Sequence, residues 1–224
     1  MSRPLLITDC DEVLLHMVRH FGDWLGEAHD IDFALGSEFA RALTRRACGS
    51  PVAPAEIWPL LDGFFVTEMH RQTPVPHARE TLAAIAEHAD IVVLTNLGDH
   101  HQDGRARQLE AIGIRHRVVC NQGGKGAPVA RLLDEYGPGA AVFVDDLAVH
   151  HESVAQHAPD VQRLHMVAEP ALAPMLPPAP HAHARIDCWR EAGPWIAARL
   201  GIAQPGLTLP ATPDFPDQMM EPHA

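Results

Sequence analysis

The chain has 224 residues, 46% of them hydrophobic, with 17 basic and 29 acidic side chains and a net charge of −12. This suits one large domain or a core with a small insert, and an acidic chain with no basic run longer than Arg45-Arg46 is neither a general nucleic-acid binder nor a basic membrane-surface protein. No apolar run approaches the ~20 residues of a membrane-spanning helix, and Asp9, Asp11 and Glu12 interrupt the first one, so no signal peptide and a cytoplasmic location are expected.

Residues 4–8, Pro-Leu-Leu-Ile-Thr, read as a buried strand, and Asp9-Cys10-Asp11-Glu12-Val13 follow it. In extended backbone, positions i and i+2 point the same way, so Asp9 and Asp11 face one site while Cys10 turns to the core. The four cysteines (10, 48, 120 and 188) are scattered without C-x-x-C and read as free thiols. A helical pattern carrying Leu14, Val18, Phe21 and Leu25 runs to about residue 28. Ser37 is a plausible N-cap for a second helix reaching about residue 48. Gly49-Ser50-Pro51 breaks the pattern, and a third helix at 54–70 presents Ile57, Leu60, Leu61, Phe64 and Phe65. Residues 15–72 therefore read as all-helical.

From the linker Thr73-Pro74-Val75-Pro76 onward, helices alternate with continuous apolar runs. Helices are expected at 77–88, 102–112, after Gly126, and at 148–157. Strands are expected at 91–94, ending in Thr95-Asn96; at 117–120; at 140–144, ending in Asp145-Asp146; and at 161–167. Residues 170–184 read as a loop, 188–200 as a last helix, and the proline-rich 203–224 as a disordered tail. The alternation predicts an α/β fold: a parallel-sheet core from 1–14 and 73–202, with the helical block 15–72 inserted after the first strand.

All the polar strand ends fall on one edge of such a sheet, where α/β folds build sites. A phosphate ester repels carboxylates unless a cation intervenes; Mg²⁺ held by Asp9 and by Asp145 or Asp146 serves this purpose. Thr95 can donate to a phosphoryl oxygen, and Lys125, the only lysine beside sixteen arginines, is a compact positive charge. Asp9 is then a nucleophile and Asp11 an acid/base. The Gly123-Gly124-Lys125-Gly126 stretch does not meet the P-loop pattern. The sixteen histidines, including the pairs at 100–101 and 150–151 and the cluster His181-Ala182-His183, lack metal-site spacing and read as surface residues. Asn121 and Gln122 carry no evident role.

Together these residues resemble the four motifs of the haloacid dehalogenase (HAD) superfamily: Asp9-x-Asp11-x-Val13, Thr95, Lys125, and Asp145-Asp146. The resemblance covers about 1–168 and implies a Rossmann-like core with an all-helical cap. It implies Mg²⁺ on Asp9, on the backbone carbonyl of Asp11 and on an Asp of the last pair, with Thr95, Asn96 and Lys125 binding the phosphoryl group. Carbon–halogen-cleaving members lack the second acid, so Asp11 implies a phosphatase acting through an aspartyl-phosphate on a small phosphorylated metabolite. A phosphomutase and a catalytically silent binding module are the alternatives. The cap arginines 41, 45, 46 and 71 are candidates for the distal substrate group, though surface roles suit each better. Where the family commonly has Gly after the second Asp, this chain has Glu12, which is expected to alter the loop to the cap or the substrate preference. Oligomeric state is not legible.

Overall fold

A computed structural model describes residues 2–35 and 41–202. The start of the second predicted helix, in residues 36–40, and the whole of the tail, 203–224, lie outside the described residues.

The first strand, β1 (Leu5–Thr8), is buried along its whole length. It pairs in parallel with β6 (Asp90–Thr95) on one side and β8 (Ala141–Asp145) on the other. Beyond β6 lies β7 (Arg117–Cys120); beyond β8 lie β9 (Gln162–His165) and the two-residue edge strand β10 (Ala184–Arg185), all parallel. Counting these six strands in chain order, the sheet reads 3-2-1-4-5-6, the doubly wound order, with its switch point between β1 and β8. Asp9 and Asp145-Asp146 stand at the carboxyl ends of those two strands.

Both sheet faces are covered, which is why the strands are uninterrupted apolar runs. Leu5, Ile7, Val92, Leu94 and Phe143 pack under α5 (Gly126–Tyr136) and α6 (Ala148–His157). Leu6, Val93, Val142 and Val144 pack under α3 (Ala78–Ala86), α4 (Gln102–Ala111) and α7 (Trp189–Arg199). Each such buried aliphatic contributes about 1.5–3 kcal/mol relative to exposure.

The stretch between β1 and α3 folds around its own cluster of Phe21, Trp24, Leu25, Phe64 and Phe65. It is not all-helical. Helix α1 (Val18–His29) and helix α2 (Pro54–Thr67) are joined through an antiparallel hairpin of β3 (Ile31–Phe33), between the first two predicted helices, and β4 (Leu43–Arg45), inside the second of them. Three-residue strands are too short for a periodic signal, and their pairing partners supply what local pattern lacks. Helix α1 also starts later than its pattern suggests, because β2 (Leu15–His16) pairs with β5 (Thr73–Pro74). The predicted linker at 73–76 is thus half strand, and this ribbon forms the two-stranded neck of the insert. None of the described helices is long and apolar enough to cross a membrane.

Candidate active site

Strand β1 delivers Asp9 at the switch point, and the Asp9 amide continues the ladder by donating to the Val144 carbonyl at 2.8 Å. Strand β8 delivers Asp145 and Asp146 beside it. One oxygen of each of these three carboxylates lies within 4.8 Å of the others. Lys125 reaches them from the start of α5, fully buried, with Nζ 2.7 Å from Asp9 Oδ1 and 2.7 Å from Asp145 Oδ2. The contact with Asp145 is an aligned hydrogen bond; that with Asp9 is an ion pair whose oxygen has no aligned donor. The glycines around Lys125 have a packing reason: a β-carbon on Gly126 would stand 2.1 Å from the Ser153 carbonyl oxygen of α6. Only glycine allows α5 to start that close.

The charge balance is incomplete. Three buried carboxylates face one ammonium, an excess of two negative charges when all are ionised. Burial raises Asp9 to about 7, against the attraction of Lys125 and with Asp145 adding to the rise. Burial, and then the charges of Asp145 and Asp9, push Asp146 well above the carboxylate range. Burial also works to raise Asp145, but Lys125, His150 and His151 outweigh it and hold Asp145 low. Asp145 Oδ2 accepts from Lys125 and Oδ1 from the Leu147 amide. Oxygen donors with a charge deficit of two suit a hard divalent cation. Thr95, at the end of β6, is fully buried and its hydroxyl has no partner.

Asp11 is placed differently. Its carboxylate is outside the three-acid group and is held by Arg105, whose Nη2 lies 2.9 Å from both oxygens, and by Gln72 Nε2 at 2.6 Å. Arg105 is fully buried in α4 and stacks over the Phe65 ring of the insert. Sequence reading missed it because a lone arginine in a polar helix carries no signal of a partner 94 positions away. Asn96 Nδ2 donates to the Gly123 carbonyl at 2.9 Å, and Asn121 donates to Asn96 Oδ1 at 3.0 Å, which gives Asn121 its role.

His150 and His151 are buried, not surface residues. His151 donates Nε2–H to the Asp145 carbonyl at 3.0 Å, and His165 donates to the Asp146 carbonyl at 2.8 Å, bracing the acid pair from below. Burial lowers His151 to about 4, so it is neutral. Cys10 is buried in the core, as alternation predicts, and burial pushes its thiol up. Among the cap arginines, Arg45 pairs with Glu56, Arg46 with Asp32 and Arg71 with Glu27, and neither these nor Arg41 line the cavity over the site.

Glu12 takes up the turn that glycine usually makes, at φ 58°. A side chain there costs about 1–2 kcal/mol, and the carboxylate offsets it. Oε1 accepts from the amides of Met17 at 2.8 Å and Val18 at 2.6 Å, capping α1 at the positive end of its dipole. Burial raises Glu12 to about 7 despite those bonds, with Glu169 adding to the rise. The folded chain therefore holds this proton more tightly than the unfolded chain, and stability must fall as pH rises between about 4.5 and 7. Glu12→Gln keeps the acceptor and removes the titration. In metal-free urea unfolding it should shrink the loss of stability between pH 5 and 8 by at most about 3 kcal/mol; an unchanged slope would contradict the burial argument.

The chain thus has the fold of the HAD-type hydrolases, shared with many solved structures. A HAD-superfamily hydrolase of subfamily IA from Geobacter sulfurreducens is similar at 18% identity over 87% of this chain and 96% of that one, TM-score 0.57. YfnB from Bacillus subtilis, a structure bound to magnesium, is similar at 11% identity over 88% and 99%, TM-score 0.62. A 2-haloacid dehalogenase from Pseudomonas syringae is similar at 18% over 89% and 99%, TM-score 0.53. No protein-family model and no curated protein sequence matches the chain.

Proposed function

We propose that the chain is a HAD-superfamily phosphatase that hydrolyses a small phosphate monoester with Mg²⁺. The observation that carries this reading is the set of Asp9, Asp145 and Asp146 around the buried Lys125, with the unpartnered Thr95 hydroxyl at the next strand end. Asp9 and Asp146, the carboxylates not held by an aligned lysine bond, would hold the metal together with the Asp11 carbonyl. When bound, Mg²⁺ neutralises the phosphate and polarises its oxygens.

Asp9 attacks phosphorus, the bond from phosphorus to the leaving oxygen breaks, and an aspartyl-phosphate forms. Thr95 and Lys125 stabilise the equatorial oxygens. Asp11 enters protonated and gives its proton to the leaving alkoxide; Arg105 and Gln72 hold the carboxylate so formed, which then takes a proton from the water that frees Asp9. Asp145 orients Lys125. The insert acts as a cap on its β2–β5 neck, and closure excludes water from the site. A dehalogenase has no use for the second acid, so Asp11 favours phosphoryl transfer.

The test is hydrolysis of p-nitrophenyl phosphate by the purified chain. Turnover should require Mg²⁺ and stop with chelator, and 2-chloropropionate should release no chloride. Absence of turnover on the aryl ester and on a panel of phosphorylated metabolites would overturn the proposal.

A further inference from the structure

A cavity of about 520 Å³ opens between the insert and the sheet edge. Its floor carries Asp9, Asp11, Glu12, Asn96, Asp146 and His150. Away from the floor its walls are almost wholly apolar, built from Phe33, Trp58, Leu61 and Phe65 of the insert and from Leu172 and Leu176 of the loop after β9. No lysine or arginine lines it among the described residues, and none occurs in 36–40 or 203–224. Trp58 is 68% exposed and Leu147 46% exposed, both on this cavity. Large apolar side chains left open beside a polar floor mark a ligand surface.

We infer that the substrate is a phosphate monoester of an apolar alcohol, with no second anionic group and few hydroxyls beyond the ester oxygen; this rests on the phosphatase reading. A second phosphate or carboxylate here would be buried against carbon and next to Glu12, with no cation to pair it, which is costly. A sugar's hydroxyls could meet Glu12 Oε2 and His150 Nδ1 at the floor, but those turned to the walls would lose water without gaining partners, also at a cost. An alkyl or aryl group instead releases water from both surfaces. The same absence of cations disfavours a mutase, whose bisphosphate intermediate needs a second anion site.

The test compares esters that share a primary-alcohol leaving group, so that intrinsic reactivity is matched. With Mg²⁺, kcat/KM should rise about fourfold per methylene from ethyl to hexyl phosphate. Hexyl phosphate should exceed glucose 6-phosphate and hexane-1,6-diol bisphosphate by about tenfold or more, since those bury unpaired polar groups. Trp58→Ala, at a position 68% exposed, should keep the parent's thermal unfolding temperature within a few degrees, cut kcat/KM for hexyl phosphate by about tenfold and reduce the chain-length slope. Hydrolysis of ethyl phosphate with a flat or falling chain-length dependence, or with preference for the sugar phosphate or the bisphosphate, overturns the inference and leaves the phosphatase reading standing. If no ester is hydrolysed, the phosphatase reading falls and calorimetry with alkylphosphonates decides: hexylphosphonate binding more tightly than ethylphosphonate supports the apolar subsite, and equal or no binding overturns it.

Discussion

Asp9→Asn is expected to reduce turnover by about 10⁴-fold or more, the scale seen when a covalent nucleophile is removed. Asparagine keeps the shape of the side chain at the end of β1 but has no charged oxygen to attack phosphorus. Folding should survive. Asp9 is one of three carboxylates competing for a single lysine, and burial already raises it to about 7. Removing that charge relieves repulsion of Asp145, so the metal-free variant should unfold at a temperature equal to or above that of the parent at pH 8. Activity is read by phosphate release and stability by thermal unfolding in chelator. Retention of more than about a tenth of the parent rate would remove Asp9 from the mechanism. If neither parent nor variant turns over and both bind a phosphate analogue equally, a silent binding module is favoured.

Lys125→Met should be the most destabilising change at the site. Methionine fits the space of the lysine stem, so packing is largely kept and the loss is electrostatic. Without the ammonium, Asp9, Asp145 and Asp146 face one another in a buried pocket. Removing one partner of a buried ion pair costs about 3–5 kcal/mol, and here one lysine serves two acids. The loss should be largest at pH 8 and smaller at pH 5, because Asp9 and Asp146, both raised, then take up protons. Mg²⁺ should stabilise the variant more than the parent, since the excess negative charge rises from two to three. Denaturant unfolding at the two pH values, with and without Mg²⁺, measures this. A loss under about 1 kcal/mol at pH 8 would show that Lys125 does not compensate the acids, and turnover should vanish in any case because the phosphoryl oxygens lose their cation.

The residues proposed for the site stand out in the sequence because Asp9, Thr95, Asp145 and Asp146 end or follow buried strands and Lys125 opens the helix after β7. Parallel strands covered on both faces must be continuous apolar runs, so β1, β6, β7 and β8 announce themselves and their first polar residues mark one edge. Helices α3 to α7 were legible within a few residues for related reasons: α3 and α5 show local amphipathic periodicity, and α4 and α6 fill the intervals between buried strands. The hairpin β3–β4 was not, since three-residue strands depend on their partners rather than on their own pattern. Glu12 was visible as a departure from the expected glycine, but its role as a cap on α1 needed the fold to bring the amides of Met17 and Val18 to its carboxylate.

By itself, then, the amino-acid sequence determined five of the six sheet strands and which polar residues stand at their ends, because burial and alternation act over a few residues; the two-residue edge strand β10, in what read as the end of a loop, is too short to carry such a pattern. Only the tertiary structure decided which partners those groups meet. Arg105 on Asp11, His151 and His165 under the acid pair, and apolar walls over the acidic floor all join positions far apart in the chain. Such contacts are set by how helices and loops pack across the sheet edge, and a buried arginine or histidine looks the same in sequence as a solvated one. The physical reason is range: hydrophobic patterning is written locally, whereas the pairing of buried charges is settled only when distant segments share one low-dielectric space.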